Sequence, residues 1–276
     1  MRIDAHQHFW RPDRADYGWL TSDLQPLYRD FLPADLKPLL EANGITQTLL
    51  VQAAPTLAET DFLLGLAQEH DFIAGVVGWV PLDHEDAPAM LERVAARPLL
   101  VGIRAMLQDL ADDRWIAGSE LAAPLARCAE LGLAFDALVR PRHLAGLADM
   151  ASAHGSLRIV VDHAGKPDIG GDLAAWRSNM AELARLPNVW CKLSGLVTEA
   201  LSPVSLDLLR PAVDTLLDLF GPGRLIWGSD WPVATLAVPY EQWLEWTEAL
   251  LAPLSADERA AIMGGNARTF YRLGDR

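Results

Sequence analysis

Two histidines close the first strand-like stretch of the chain, Ile3-Asp4-Ala5-His6-Gln7-His8. Side chains alternate faces along a strand, so His6 and His8 point to one side and Gln7 to the other. Two imidazoles on one face at a strand end can grip a metal ion, or hold and polarise a carbonyl group. Phe9 and Trp10 follow at once, and Pro12 ends the strand. Other reactive types stand in short motifs far along the chain. Asp230 lies in Trp227-Gly228-Ser229-Asp230-Trp231-Pro232, and His163 in Asp162-His163-Ala164-Gly165-Lys166-Pro167. Arg104 follows Gly102-Ile103 and offers a rigid fork of donors. A carboxylate beside imidazoles is equipped to take a proton from water.

Such distant residues act together only if the fold collects them. Long connection 9–31 carries Trp10, Tyr17, Trp19 and Tyr28 with little periodicity, and is expected to cover a site or pack as a surface loop. Pro33 and Asp35 open a helix that stops near Asn43-Gly44. A unit of apolar strand and helix then repeats. The strands are Ile45–Gln52, Phe72–Val80, Leu99–Met106, Leu133–Val139, Leu157–His163, Val189–Ser194 and Arg224–Asp230. Thr56-Leu57-Ala58-Glu59 reads as a capping box opening the next helix, and Ser255-Ala256-Asp257-Glu258 caps a late one. Further helices are expected around 87–96, 121–130, 142–154, 173–186, 205–220 and 240–251, with a short closing helix over 266–273. Eight near-continuous apolar strands alternating with helices predict a parallel sheet closed into a (β/α)8 TIM barrel, one α/β domain over residues 1–276.

Chemistry on such a barrel sits at the C-terminal ends of the strands. Read in order, those ends present His6 and His8, Gln52, Trp79, Arg104, Asp136, Asp162 with His163, Lys192 with Ser194, and Asp230. Charges crowded at one rim are costly unless used, although Asp136 and Asp162 could equally be structural ion-pair partners. In a closed barrel the last strand neighbours the first, so Asp230 can face His6 and His8.

Composition narrows the partners. With 23 Lys and Arg against 37 Asp and Glu, the net charge is −14. That repels phosphate backbones and anionic lipid, so neither nucleic acid nor membrane is an expected partner. No apolar run is long enough to span a bilayer and no signal region opens the chain, so a cytoplasmic protein is expected. Two distant cysteines, Cys128 and Cys191, make no disulfide framework.

The motifs taken together resemble the amidohydrolase superfamily. They are His6-Gln7-His8-Phe9-Trp10, Gly102-Ile103-Arg104, Asp162-His163-x-Gly165-Lys166-Pro167, Cys191-Lys192-Leu193-Ser194-Gly195 and Gly228-Ser229-Asp230-Trp231-Pro232. More narrowly they are similar to its sugar-lactone hydrolase branch, the L-fuconolactonase-like and L-rhamnonolactonase-like proteins. The likeness runs to Gly265-Asn266-Ala267. It implies a barrel hydrolysing a carboxylic ester within a ring, with Asp230 as base and His6, His8 and His163 at the active centre. Many superfamily members hold two metals through a strand-four lysine and a strand-five histidine. Here those positions carry Arg104 and Asp136, so a two-metal centre is not expected. One divalent ion such as zinc on His6, His8 and Asp230, with His163 in reach, is geometrically open. The branch implies that none is required.

The resulting expectation is a lactonase acting on a small aldonolactone. Asp230 would accept the proton of the attacking water, and His6, His8, Arg104, His163 and Lys192 would be the candidates for stabilising the oxyanion. Gln52, Arg104, Trp79, Lys192 and Trp231 would bind the substrate. A pyrone or muconolactone hydrolase, or a metal-dependent decarboxylase, is the alternative. An aromatic diacid should want several rim arginines, and only Arg104 is clear, with Arg140 and Arg142 in question. A non-catalytic sugar-acid-binding protein is the alternative from another class.

Overall fold

The computed structural model describes residues 1–200 and 202–274. Among them, eight parallel strands follow one another around a single sheet in chain order. They are β1 (Ile3–Gln7), β2 (Gln47–Val51), β3 (Ile73–Gly78), β4 (Leu100–Met106), β5 (Ala134–Leu138), β6 (Ile159–Val161), β7 (Val189–Leu193) and β8 (Leu225–Trp227). Helices return the chain over the outside: α1 (Pro33–Ala42), α2 (Leu57–Glu69), α3 (Ala87–Ala95), α4 (Ala122–Glu130), α5 (Leu144–Ala153), α6 (Ala174–Ala184), α7 (Leu206–Phe220) and α8 (Tyr240–Leu250). The expected (β/α)8 barrel is the observed architecture. Two short helices, α9 (Ala256–Ala260) and α10 (Asn266–Tyr271), finish the described chain. None of the described helices is long and apolar enough to cross a membrane.

Two apolar cores follow from the two faces of each strand. Val76, Ile103, Phe135, Val161 and Leu193 pack outward against the helices. Ile3, Leu49, Val51, Val77, Ala134, Val160 and Ile226 form a separate interior cluster, joined by Phe270 and Tyr271 of α10. The closing helix thus plugs one end of the barrel with two aromatic rings, which leaves the other end for polar side chains.

The barrel closes between β8 and β1 without a regular ladder. The Asp230 N–H donates to the His6 carbonyl and the His8 N–H to the Trp231 carbonyl, each at 2.8 Å. The buried Asp4 carboxylate accepts the Ser229 N–H at 2.8 Å and the Tyr240 hydroxyl at 3.2 Å. Burial pushes its carboxyl up to about 6 against those hydrogen bonds. No side chain fits at Gly228, where a Cβ would lie 2.6 Å from that of His6.

Several elements end earlier than the hydrophobic pattern suggested, and the ends are where the polar groups begin. The sixth strand, expected to reach His163, stops at Val161. His163, Ala164, Gly165 and Lys166 all take left-handed backbone, with φ of 51°, 54°, 68° and 54°. That conformation cannot continue a strand and costs a non-glycine residue about 1 kcal/mol or more. The eighth strand stops at Trp227, and Asp230 has φ 58°. The capping box at α2 is only half made. Thr56 accepts the Glu59 N–H at 3.0 Å, but the Glu59 carboxylate turns inward to the Ala53 N–H at 3.1 Å and the Tyr17 hydroxyl at 2.8 Å.

Candidate active site

β1 and the residue after it set the first two histidines of the site, His6 and His8. Its pairing with β2 slips between Asp4 and Gln7, three steps on β1 matching two on β2. Asp4 faces the outer helix α8 through Tyr240, so strict alternation would turn His6 outward as well. The slip instead turns His6 into the barrel, where it meets Lys192, Arg104 and Asp162. A register shift of this kind re-aims side chains beside functional sites.

Three imidazoles converge on one carboxylate. Asp230 Oδ1 lies 3.4 Å from His8 Nε2, and 3.8 Å from Nε2 of both His6 and His163. None of the four residues is more than 4 % exposed. Each ring is oriented through its other nitrogen. His8 Nδ1 is 2.8 Å from the Val51 carbonyl, which can only accept, so that nitrogen carries the proton and Nε2 presents a lone pair. His163 Nδ1 meets the Ser194 hydroxyl at 2.9 Å. Gly195, at φ 63°, makes room for this ring, because a Cβ there would lie 2.4 Å from His163 Nδ1.

His6 sits between two cations, with Lys192 Nζ 3.0 Å from Nδ1 and Arg104 3.3 Å from Nε2. Burial and then Lys192 hold its imidazolium form well out of reach at neutral pH. Burial likewise pushes His8 down, and His163 down to about 4. Near pH 7 the three rings are therefore neutral. Burial works to raise the Asp230 pKa, but in the acid range where this carboxyl titrates the facing histidines are protonated. Their attraction, His163 first, more than offsets burial and holds the carboxyl below its usual range. The cluster is one carboxylate facing three neutral rings. His8 Nε2 and Asp230 Oδ1 are two acceptors 3.4 Å apart, an arrangement that calls for a shared proton donor or a cation.

Beneath this layer lies a buried charge network. Lys192 Nζ is 2.5 Å from Asp136 and 3.0 Å from Asp162, and all three side chains are fully buried. The Tyr271 hydroxyl of α10 donates to Asp136 at 2.7 Å. Arg104 NH1 is 3.4 Å from Asp162, while its remaining donors go to the Gln52 side chain and carbonyl. Two cations thus match two carboxylates, as buried charges require.

These placements sort the residues expected from the sequence. His6, His8, His163 and Asp230 are brought together. Arg104 lines the cleft above them with His8, His163, Lys166 and Asp230, but has an acidic partner, Asp162 just past the end of β6, that the sequence did not reveal. Lys192 and Gln52 lie fully buried, in contact with His6 and Arg104 rather than exposed at the rim. Trp231 packs edge-on to Phe9 and Phe31, with centroids 6.1 and 5.2 Å away. Trp79 lines an adjoining cavity, its backbone clamped by Thr60 at 2.8 and 3.0 Å. Arg142 is committed to Asp113 at 2.6 Å.

Of the other contributors, Trp19 comes from the long connection expected to cover a site or pack as a surface loop, whereas Met106 and Trp115 carried no signal of their own. Trp19 and Met106 wall the cleft, and Trp115 lines the adjoining cavity. Trp19 is held by its indole N–H, 2.7 Å from the Ala53 carbonyl. The rule that barrel loops at this end build the site would have drawn attention to Trp115. The contact of Tyr271 with Asp136 comes from the opposite end of the barrel and has no local sequence mark.

A family model described as amidohydrolase matches residues 3–273. An L-fucono-1,5-lactonase of Burkholderia ambifaria is 49% identical, over 99% of this chain and 96% of its own length. A second, of Burkholderia multivorans, is 42% identical over the same shares. A crystal structure of an amidohydrolase from Burkholderia multivorans with bound zinc superposes with a TM-score of 0.94 at 40% identity, covering 99% of this chain and all of that one.

Proposed function

Because the chain belongs to the amidohydrolase family, we propose that it is a lactonase that opens a neutral sugar lactone, L-fucono-1,5-lactone or a similar aldonolactone such as L-rhamnonolactone, to the sugar acid. The observation that carries the mechanism is the convergence of three neutral imidazoles on the ionised Asp230 at the barrel seam.

A water entering the cleft can donate one hydrogen to Asp230 and the other to the His8 lone pair, which aims its oxygen at the lactone carbonyl. Asp230 takes the proton as the C–O bond forms, a step worth about 10²–10⁴ in rate. Negative charge then develops on the carbonyl oxygen, and His163, Lys166 and Arg104 lie around the cleft to meet it. As the ring C–O bond breaks, the proton held by Asp230 or a histidine passes to the departing ring oxygen. The products are a hydroxyl group and a carboxylic acid.

The donor set fits a single divalent ion such as zinc. His6, His8 and Asp230 each offer one atom within 4.8 Å of the others, and the His8 tautomer turns a lone pair inward. Bound there, an ion would polarise the carbonyl or lower the pKa of water. Arg104 and Lys192 flank His6 with positive charge, which disfavours a second ion. For an ester as reactive as a lactone, a placed carboxylate and fixed donors suffice, so we take the ion as compatible and not required.

The charge pairing favours a neutral substrate over the alternatives. A carboxylated pyrone, an aromatic acid or a bound sugar acid carries a permanent full charge that needs a cation with no acidic partner, whereas paired cations can still donate hydrogen bonds to a transient oxyanion. In the cleft Arg104 is matched by Asp162, and Lys166 by Glu199 at 2.6 Å. The two cysteines are buried and free, in keeping with a reducing cytoplasm. A panel of sugar lactones, read by acid release, tests the proposal. Turnover of a neutral aldonolactone is expected, and no acid from any member of the panel would overturn it.

A further inference from the structure

The catalytic cleft encloses only about 110 Å³. Sites for small molecules usually enclose roughly 300–1,000 Å³, so a substrate must extend beyond it. The adjoining cavity encloses about 580 Å³ and shares two walls with the cleft, Trp19 and Met106. Resting on the lactonase reading, we propose that this cavity is the subsite for the uncharged, hydroxylated body of the lactone. Trp79 and Trp115 there supply faces for its C–H side, and Asp83 and Asp109 at the lip turn away anionic lactones and the anionic product.

The cavity has the chemistry for that ligand. Trp19, Trp79 and Trp115 are all partly exposed, so each has ring surface free to pack against a ligand. Sugar rings present an apolar C–H face that aromatic rings cover well, leaving the hydroxyls at the edge. The walls are already in place. The Ala53 carbonyl holds the Trp19 indole, and Thr60 fixes the Trp79 backbone from both sides.

The charge of the cavity is one-sided. Its lining holds Asp16, Asp83 and Asp109 and no lysine or arginine. Asp16 is matched by Arg14 at 2.6 Å, whereas Asp83 and Asp109 are exposed at the lip. Their fields, added to a net charge of −14, oppose entry of an anion and favour its departure. Hydrolysis turns a neutral lactone into a carboxylate, so one device selects the substrate and releases the product.

The test is steady-state kinetics with L-fucono-1,5-lactone, or the best neutral lactone of the panel, and with D-glucaro-1,4-lactone as the carboxylated probe. Trp115→Ala and Trp79→Ala are expected to raise KM about three- to tenfold while kcat changes less than about twofold. The double variant Asp83→Asn with Asp109→Asn is expected to bind the product sugar acid several-fold more tightly. It should also raise kcat/KM on the carboxylated lactone, and both gains should fade at high salt. Because both aspartates are exposed, this arm remains readable even if a tryptophan variant fails to fold. A parental KM in both tryptophan variants, or unchanged product inhibition in the double variant, overturns the subsite and leaves the lactonase reading standing. Failure of every neutral lactone to react overturns both.

Discussion

Replacing Lys192 with methionine separates a buried structural cation from a substrate contact. Methionine keeps most of the length and the apolar stem but removes the charge. In the native protein Lys192 lies 2.5 Å from Asp136, 3.0 Å from Asp162 and 3.0 Å from His6, at zero exposure. Burial raises the Asp136 carboxyl to about 6 even with Lys192 beside it. Burial opposes ionisation of Asp162 too, but Lys192 first, then His6 and Arg104, hold it well below the usual range. Without the lysine, two buried carboxylates remain with Arg104 on one and the Tyr271 hydroxyl on the other. Removing one partner of a buried pair costs about 3–5 kcal/mol. For a chain of this length that lowers Tm by roughly 6–15 °C. The sign with pH follows from Asp136. Its folded pKa rises further above its ordinary 3.8, so the penalty is complete above the folded pKa and fades as pH falls toward the unfolded one. Thermal melts of parent and Lys192→Met at pH 8 and pH 5 should show the large gap at pH 8 and roughly half or less at pH 5. A variant melting within about 2 °C of the parent at pH 8, with a raised KM, would refute the buried-network account and return Lys192 to the substrate.

Three further outcomes are expected. Asp230→Asn keeps the fold and loses about 10²–10⁴ of lactonase turnover, and a folded variant with near-normal turnover would remove Asp230 as the base. Arg104→Ala costs on the order of 1.5–3 kcal/mol in denaturant melts and slows turnover, since Asp162 keeps Lys192 but His6 loses a neighbour. Equal stability and turnover would show that the Asp162 and Gln52 contacts carry no weight. Exhaustive chelation, with residual metal counted by elemental analysis, should leave most activity. If turnover tracks metal content and returns with zinc, His6 and His8 are ligands first, and a metal-dependent mechanism displaces metal-free attack by water at Asp230.

The barrel was legible in the chain because its evidence is local and repeated. Each apolar run followed by a helix reports the same unit, and eight units in chain order leave one closed arrangement. Closure itself then makes Asp230 a neighbour of His6 and His8 across more than two hundred residues, which is why the central cluster could be anticipated. Depth and partner choice were decided only by the tertiary structure. Strand alternation says which face a side chain takes, not how far along the barrel axis it lies. Lys192, expected at the rim, is fully buried against Asp136 and Asp162. Alternation counted from Ile3 would have turned His6 outward, and only the slip against β2 turns it in. Trp231 shares a motif with Asp230, yet the backbone turn at Asp230 sends it against Phe9 and Phe31. The charge state of the cluster is also a tertiary property. The neutrality of His6 depends on burial and on an ammonium from strand seven, and the His8 tautomer on the Val51 carbonyl of strand two. Those partners are set by packing between elements distant in sequence, which no local pattern encodes.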